Sequence, residues 1–83
     1  AYTLSDRATW ITFKNKKNLE VLFHNDKKLF NQYGAILVNP QKCPNTNIED
    51  SKVFLNWLLS KEGQNTIKEY KVDGVQLFYP NAN

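Results

Sequence analysis

What this chain has little of narrows its chemistry before any motif is considered. It holds a single Cys, Cys43, so no intrachain disulfide can form, and one cysteine says nothing about redox compartment. It holds a single His, His24, and nothing in the spacing links it to Cys43, so the nucleophile–base pairing of a cysteine hydrolase is missing. His, Cys and paired acids nowhere fall at metal-ligand spacing, and no Gly-rich loop for phosphate is present. The four aspartates Asp6, Asp26, Asp50 and Asp73 each sit at a turn or helix start, where capping accounts for them. Catalysis is therefore not expected, and neither is a cofactor. No apolar run approaches the roughly 18 residues of a transmembrane helix. Arginine is equally scarce: Arg7 is the one Arg beside ten Lys, which lie scattered or in pairs (Lys16-Lys17, Lys27-Lys28). A nucleic-acid groove would cluster its cations and interleave Arg with aromatics, so the net charge of +3 reads as solvated surface.

What is present is enough to fold. Hydrophobic residues make up 41% of the 83 positions and aromatics 13%, which argues against disorder, although a chain of this length buries only a modest core. Tyr2-Thr3-Leu4 alternates like a short strand, and Ser5 or Asp6 suits the N-cap of a helix over about residues 6–15. The β-branched Thr9, Ile11 and Thr12 weaken that helix. "NKKN" is a turn. "LEVLF" (19–23) places Leu19, Val21 and Phe23 on one face of a second strand. "HNDKKLFNQYG" is polar, with a helical turn at Asp26–Phe30. "GAILVN" (34–39) is apolar without alternation, the pattern of a strand covered on both faces, entered through Gly34 and stopped by Pro40.

After a loop over 40–47, Asn47 with Asp50 three residues on opens the strongest helical signal. Val53, Phe54, Trp57 and Leu58 share a face widened by Leu55 and Leu59, and read as core contacts. Ser60 caps a second helix with Glu62 in its first turn and Ile67 and Tyr70 as its buried positions. Asp73-Gly74 is a turn, "VQLFY" (75–79) a last short strand, and Pro80 onward a tail. The expected order is β-α-β-β-α-α-β, an α/β fold with a mixed sheet and flanking helices.

One polar run stands apart. Thr3 and Ser5 lie two apart, on the same side of a strand, and Arg7 falls in the first helical turn. Hydroxyls, a helix N-terminus and a guanidinium are the donors that hold an oxyanion without metal. An Asp6–Arg7 surface pair accounts for the same residues equally well. His24 reads as an exposed loop residue, and Trp10, Phe30 and Tyr33 as packing aromatics rather than ligand platforms.

"FLNWLLSKEGQNTIKEY", an apolar helix, then Ser-x-Glu-Gly-Gln, then a second helix, resembles the C-terminal helix pair of type II periplasmic substrate-binding proteins of ABC transporters. "AYTLSDRATW", "LFNQYGAILVNP" and "VDGVQLFYPNA" narrow the resemblance to the tungstate-binding branch of that superfamily, and specifically to its C-terminal third. The resemblance runs from Ala1 to about Asn81 without a large gap. It implies a cut through a longer protein of two α/β lobes, with residues 1–18 ending the second lobe near the cleft. Residues 19–33 would cross between lobes, and residues 34–83 would complete the first lobe with the two consecutive helices. It implies a tungstate or molybdate ligand, an ABC transporter permease as partner, and a periplasmic location, free or membrane-anchored. The family's Thr/Ser-rich run near the mature N-terminus and its Arg-Gly-Asp…Ser-Gly-Thr run are not in this chain. Thr3, Ser5 and Arg7 are left as candidate donors at the rim of a site whose principal ligands lie elsewhere. A piece of this kind is expected to expose apolar surface around Phe30, Tyr33 and Leu37 and to self-associate. The alternative is a small interaction module that binds an acidic protein or nucleic acid through exposed aromatics and lysines.

Overall fold

In the computed structural model, which describes residues 1–82, regular backbone hydrogen bonding is concentrated in the second half of the chain. A six-residue helix, α1 (Arg7–Thr12), and a 3-10 turn at Lys27–Leu29 precede it. Two helices then follow almost without a break, α2 (Ile48–Leu59) and α3 (Lys61–Glu69), and lead into an antiparallel hairpin of β1 (Lys71–Val72) and β2 (Val75–Gln76). At this coarse level the chain is mixed α/β.

Local chemistry explains these elements. The Asn47 Oδ1 accepts from the Asp50 N–H at 3.0 Å while its Nδ2 donates to the Asp50 carboxylate at 2.7 Å, so cap and third residue hold each other. Glu49 and Asp50 place negative charge on the positive end of the α2 dipole. The hairpin turns through Asp73 at φ 52° and Gly74 at φ 78°, both in the left-handed region that a two-residue type I′ loop demands.

Each residue of the Ser-x-Glu-Gly-Gln motif has a physical task at the α2–α3 junction. Ser60 ends one helix and starts the next: its N–H donates to the Trp57 carbonyl at 3.0 Å, and its Oγ accepts from the Gly63 N–H at 3.1 Å. Glu62 lies in the first turn of α3, again at the positive dipole end. Gly63 is buried, and a Cβ there would overlap the Trp57 carbonyl group. Gln64 donates from Nε2 to the Leu58 carbonyl at 2.7 Å, tying α3 back onto the end of α2. The absent side chain at 63 thus lets the two helices meet at close range.

Several expected elements are corrected. The stretches 2–4, 19–23 and 34–39 form no strand, and 75–79 is a strand only over Val75–Gln76. A strand needs a neighbour to receive its backbone hydrogen bonds, and these stretches have none beside them. The first helix is shorter than expected: Thr12 turns its Oγ1 back onto the Ala8 carbonyl at 2.9 Å, and the Phe13 N–H closes on Thr9. The turn expected at Asp26–Phe30 is present, with the Asp26 side chain accepting from the Lys28 N–H at 2.8 Å.

The core is the larger correction. Leu77 is the one buried large apolar side chain among the described residues. Val53, Phe54 and Trp57, expected as core contacts, are 68%, 61% and 38% exposed, whereas Leu55 and Leu58, expected on the same face of α2, are half-buried. Ile67 is half-buried as expected, whereas Tyr70 is exposed. The accessible surface is 7754 Å², against roughly 5,100 Å² for a folded monomer of this mass. The radius of gyration is 16.9 Å, where a compact chain of this length would give about 12 Å. The secondary structure is local, with side-chain caps on α2 and α3, and few apolar side chains are covered.

Replacing Gly63 with Ala should cost about 3 kcal/mol or more, because the clash is with backbone rather than a movable side chain. Ser60→Ala should cost about 1 kcal/mol through the lost cap. Helical circular dichroism during urea denaturation checks both. Equal costs would show that Gly63 marks no close approach.

Candidate functional site

The run Thr3–Arg7 leads into α1, with Asp6 as its N-cap residue in extended conformation. The Asp6 carboxylate makes no capping bond, while its carbonyl accepts from the Trp10 N–H at 3.2 Å. The Ser5 hydroxyl donates to the Asp6 carbonyl at 2.9 Å, and Thr3 is exposed on the same stretch. Arg7 is the most constrained of the three candidates. Its Nη2 donates to the Asn25 Oδ1 at 2.8 Å, so the guanidinium is tied to a distant loop and not to the adjoining Asp6. Asn25 sits at φ 63°, a left-handed conformation that Asn tolerates better than most residues. The guanidinium also lies over the Tyr79 ring, 5.8 Å from its centroid.

Arg7 thereby joins α1, the loop at Asn25 and the C-terminal tail. The tail is fastened at further points, which its polar sequence did not announce. Phe78 meets the Tyr33 ring edge-on at 5.8 Å. Asn81 and Gln32 exchange two side-chain hydrogen bonds, at 2.8 and 3.1 Å, across 49 residues of sequence. The Ala82 N–H donates to the Gln64 Oε1 at 3.1 Å, so one side chain serves both the helix junction and the tail. Sequence reading took Pro80 onward as a loose end. The only local signal of its role is the amide and aromatic content of "QLFYPNA".

Thr3, Ser5 and Arg7 all border one wide cleft of about 2120 Å³. Much of its lining is apolar, including Leu4, Val21, Phe23, Phe30 and Leu77. Small-molecule sites usually enclose about 300–1,000 Å³, so this space is too large to grip a tetrahedral anion unaided. Among the described residues no three His, Cys, Asp or Glu side chains gather as a metal site. Cys43 is exposed in a turn, where its carbonyl accepts from both the Thr46 N–H and hydroxyl. Lys16 is less free than a solvated lysine: it is half-buried, with its ammonium 4.8 Å from the Trp10 ring centroid.

Comparison with known proteins finds relatives along almost the entire chain. The chain is 45% identical over 84 residues to the tungstate-binding protein TupA of Peptoclostridium acidaminophilum, an alignment that takes in 99% of this chain and 29% of that protein. It is 41% identical over 87 residues to an ABC transporter anion-binding protein of Haloferax volcanii, covering 99% of this chain and 25% of that one. Over its whole length the chain is homologous to part of a tungstate-binding protein. It spans between a quarter and a third of the length of the curated relatives it matches. Both relatives carry names of binding proteins rather than enzymes. No family model matches the chain, and no solved structure matches it. Among the described residues no helix is long and apolar enough to cross a membrane.

Tyr79→Leu should release Arg7 and cost about 0.5–1 kcal/mol, while Tyr79→Phe keeps the ring face and should be nearly neutral. In an Arg7→Ala background the Leu substitution should cost less, and a double-mutant cycle by urea denaturation measures the difference. A coupling of zero would remove Tyr79 as the anchor of Arg7.

Proposed function

We propose that this chain is the C-terminal segment of a periplasmic solute-binding protein that captures tungstate or molybdate for an ABC transporter. The observation that carries the reading is the end-to-end match, 99% of the chain at 45% identity, to a protein named for tungstate binding. The exposed surface supports a segment rather than a finished unit, since a free-standing domain of this mass would leave roughly 2,600 Å² less in contact with water.

In this reading the parent is a two-lobed protein of the type II periplasmic binding fold. Residues 1–18 end the second lobe beside the cleft, residues 19–33 cross between lobes, and residues 34–83 complete the first lobe. The principal ligand groups come from the rest of the parent. Thr3, Ser5 and Arg7 add neutral and cationic donors at the rim. A guanidinium has five N–H donors, so an Arg7 fixed by Asn25 and Tyr79 still has donors for an anion and loses little freedom in binding it. Closure of the lobes would present the loaded protein to the membrane permease, with no covalent chemistry and no cofactor. The location is the periplasm, with the parent free or anchored to the membrane. Isolated from the parent, the segment would associate with copies of itself through its uncovered apolar surface.

Isothermal calorimetry tests the reading. The longer protein should bind tungstate one-to-one with sub-micromolar affinity, and this chain alone should not. Arg7→Gln or Thr3→Val in the longer protein should weaken binding about ten- to a hundredfold, as expected for one lost hydrogen bond to an ion. Stoichiometric, tight binding by the chain alone would show that the main site does lie here. Absence of oxyanion binding by the longer protein would remove the function itself.

Sedimentation velocity of the isolated chain should show association that grows with concentration. A strictly monomeric profile at high concentration would count against an uncovered docking face.

A further inference from the structure

Arg7 is the only arginine of the chain, and neutral groups fasten its guanidinium. Nη2 donates to the Asn25 Oδ1 at 2.8 Å, and the guanidinium carbon lies 5.8 Å from the Tyr79 ring centroid. Arg7, Asn25 and Tyr79 all border the same cleft. The acids that adjoin Arg7 and Asn25 in sequence are placed otherwise. Asp26 accepts from the Lys28 N–H at 2.8 Å and so holds its own turn. Asp6 serves α1 through its carbonyl, which accepts from the Trp10 N–H and the Ser5 hydroxyl.

A carboxylate at position 25 would hold the guanidinium more firmly, through two parallel charge-assisted bonds. The backbone does not forbid one, since Asp, like Asn, tolerates the left-handed conformation found there at φ 63°. Its charge, however, would cancel that of Arg7. An amide oxygen and a ring face orient the guanidinium and leave its positive charge whole, with N–H donors beyond the one that Asn25 takes. Resting on the proposed function, we infer that Asn25 is a positioning residue for the oxyanion. It acts through Arg7, holding the guanidinium at the cleft border while sparing its charge for the ligand. The identity of the residue at 25 thus sets anion affinity without touching the anion.

Asn25→Asp in the longer protein tests this, with urea denaturation and tungstate calorimetry on the same sample. A merely structural tie would be kept or improved by the stronger partner, and tungstate affinity with it. A charge-sparing tie predicts opposite signs. The urea midpoint should hold or rise, because an ion pair replaces a single hydrogen bond. Tungstate affinity should nonetheless fall about tenfold, because a carboxylate beside the guanidinium repels a dianion. Unchanged or tighter binding by the variant would overturn the inference. Weaker binding accompanied by a lower midpoint would overturn it too, since the loss would then be one of structure. The wild-type longer protein serves as the control for the function itself. If it binds no oxyanion, the proposed function falls and this inference with it; if wild type and variant bind equally well, the inference alone falls.

Discussion

The C-terminal tail holds the described chain together. Leu77 supplies the one buried large apolar side chain among the described residues, and the positions after it reach three separate parts of the sequence. Phe78 packs on Tyr33, Tyr79 lies under Arg7, Asn81 pairs with Gln32, and the Ala82 N–H meets Gln64. Each of these contacts is worth on the order of 1 kcal/mol at an exposed site. Their joint effect is to bring the N-terminal run, the middle stretch and α3 to one region. The placement of Thr3, Ser5 and Arg7 depends on this fastening, because α1 has little else to hold it.

That fastening is weak next to what a finished domain has. Hydrophobic burial dominates folding, and most of this chain's apolar side chains are still in water: Tyr2, Leu4, Ile36 and Val53 are 68–92% exposed. The same fact explains the shape of the candidate site. A cleft of about 2120 Å³ with apolar walls is a poor anion trap by itself. In the proposed function the donors at its border act as a rim, a fixed guanidinium and hydroxyls that would complete a shell begun elsewhere.

What could be read from the sequence was what local chemistry decides. The caps at Asn47 and Ser60, the turn at Asp26 and the left-handed pair Asp73-Gly74 all act within a few residues, and the structure has them all. The strands at 19–23 and 34–39 were not recovered, because a ladder is a property of two stretches and the apolar pattern of one cannot supply the other. The face of α2 was legible only in part: Leu55 and Leu58 are half-buried, while Val53 and Phe54 stay exposed. Arg7 was singled out by residue type, yet its ties to Asn25 and Tyr79 join positions 18 and 72 residues apart, beyond any local pattern. Gly63 could have been found. A Gly inside a helical pattern costs about 1 kcal/mol relative to Ala, which calls for a close-packing reason.

The claim on which the rest turns is that these residues continue, in the intact protein, into a larger oxyanion-binding fold. Sequencing the gene upstream of the Ala1 codon tests it most directly. The expected result is an open frame extending for well over twice the length of this chain, encoding a Thr/Ser-rich run and an Arg-Gly-Asp…Ser-Gly-Thr run before Ala1. A stop codon in frame shortly before Tyr2 would contradict it.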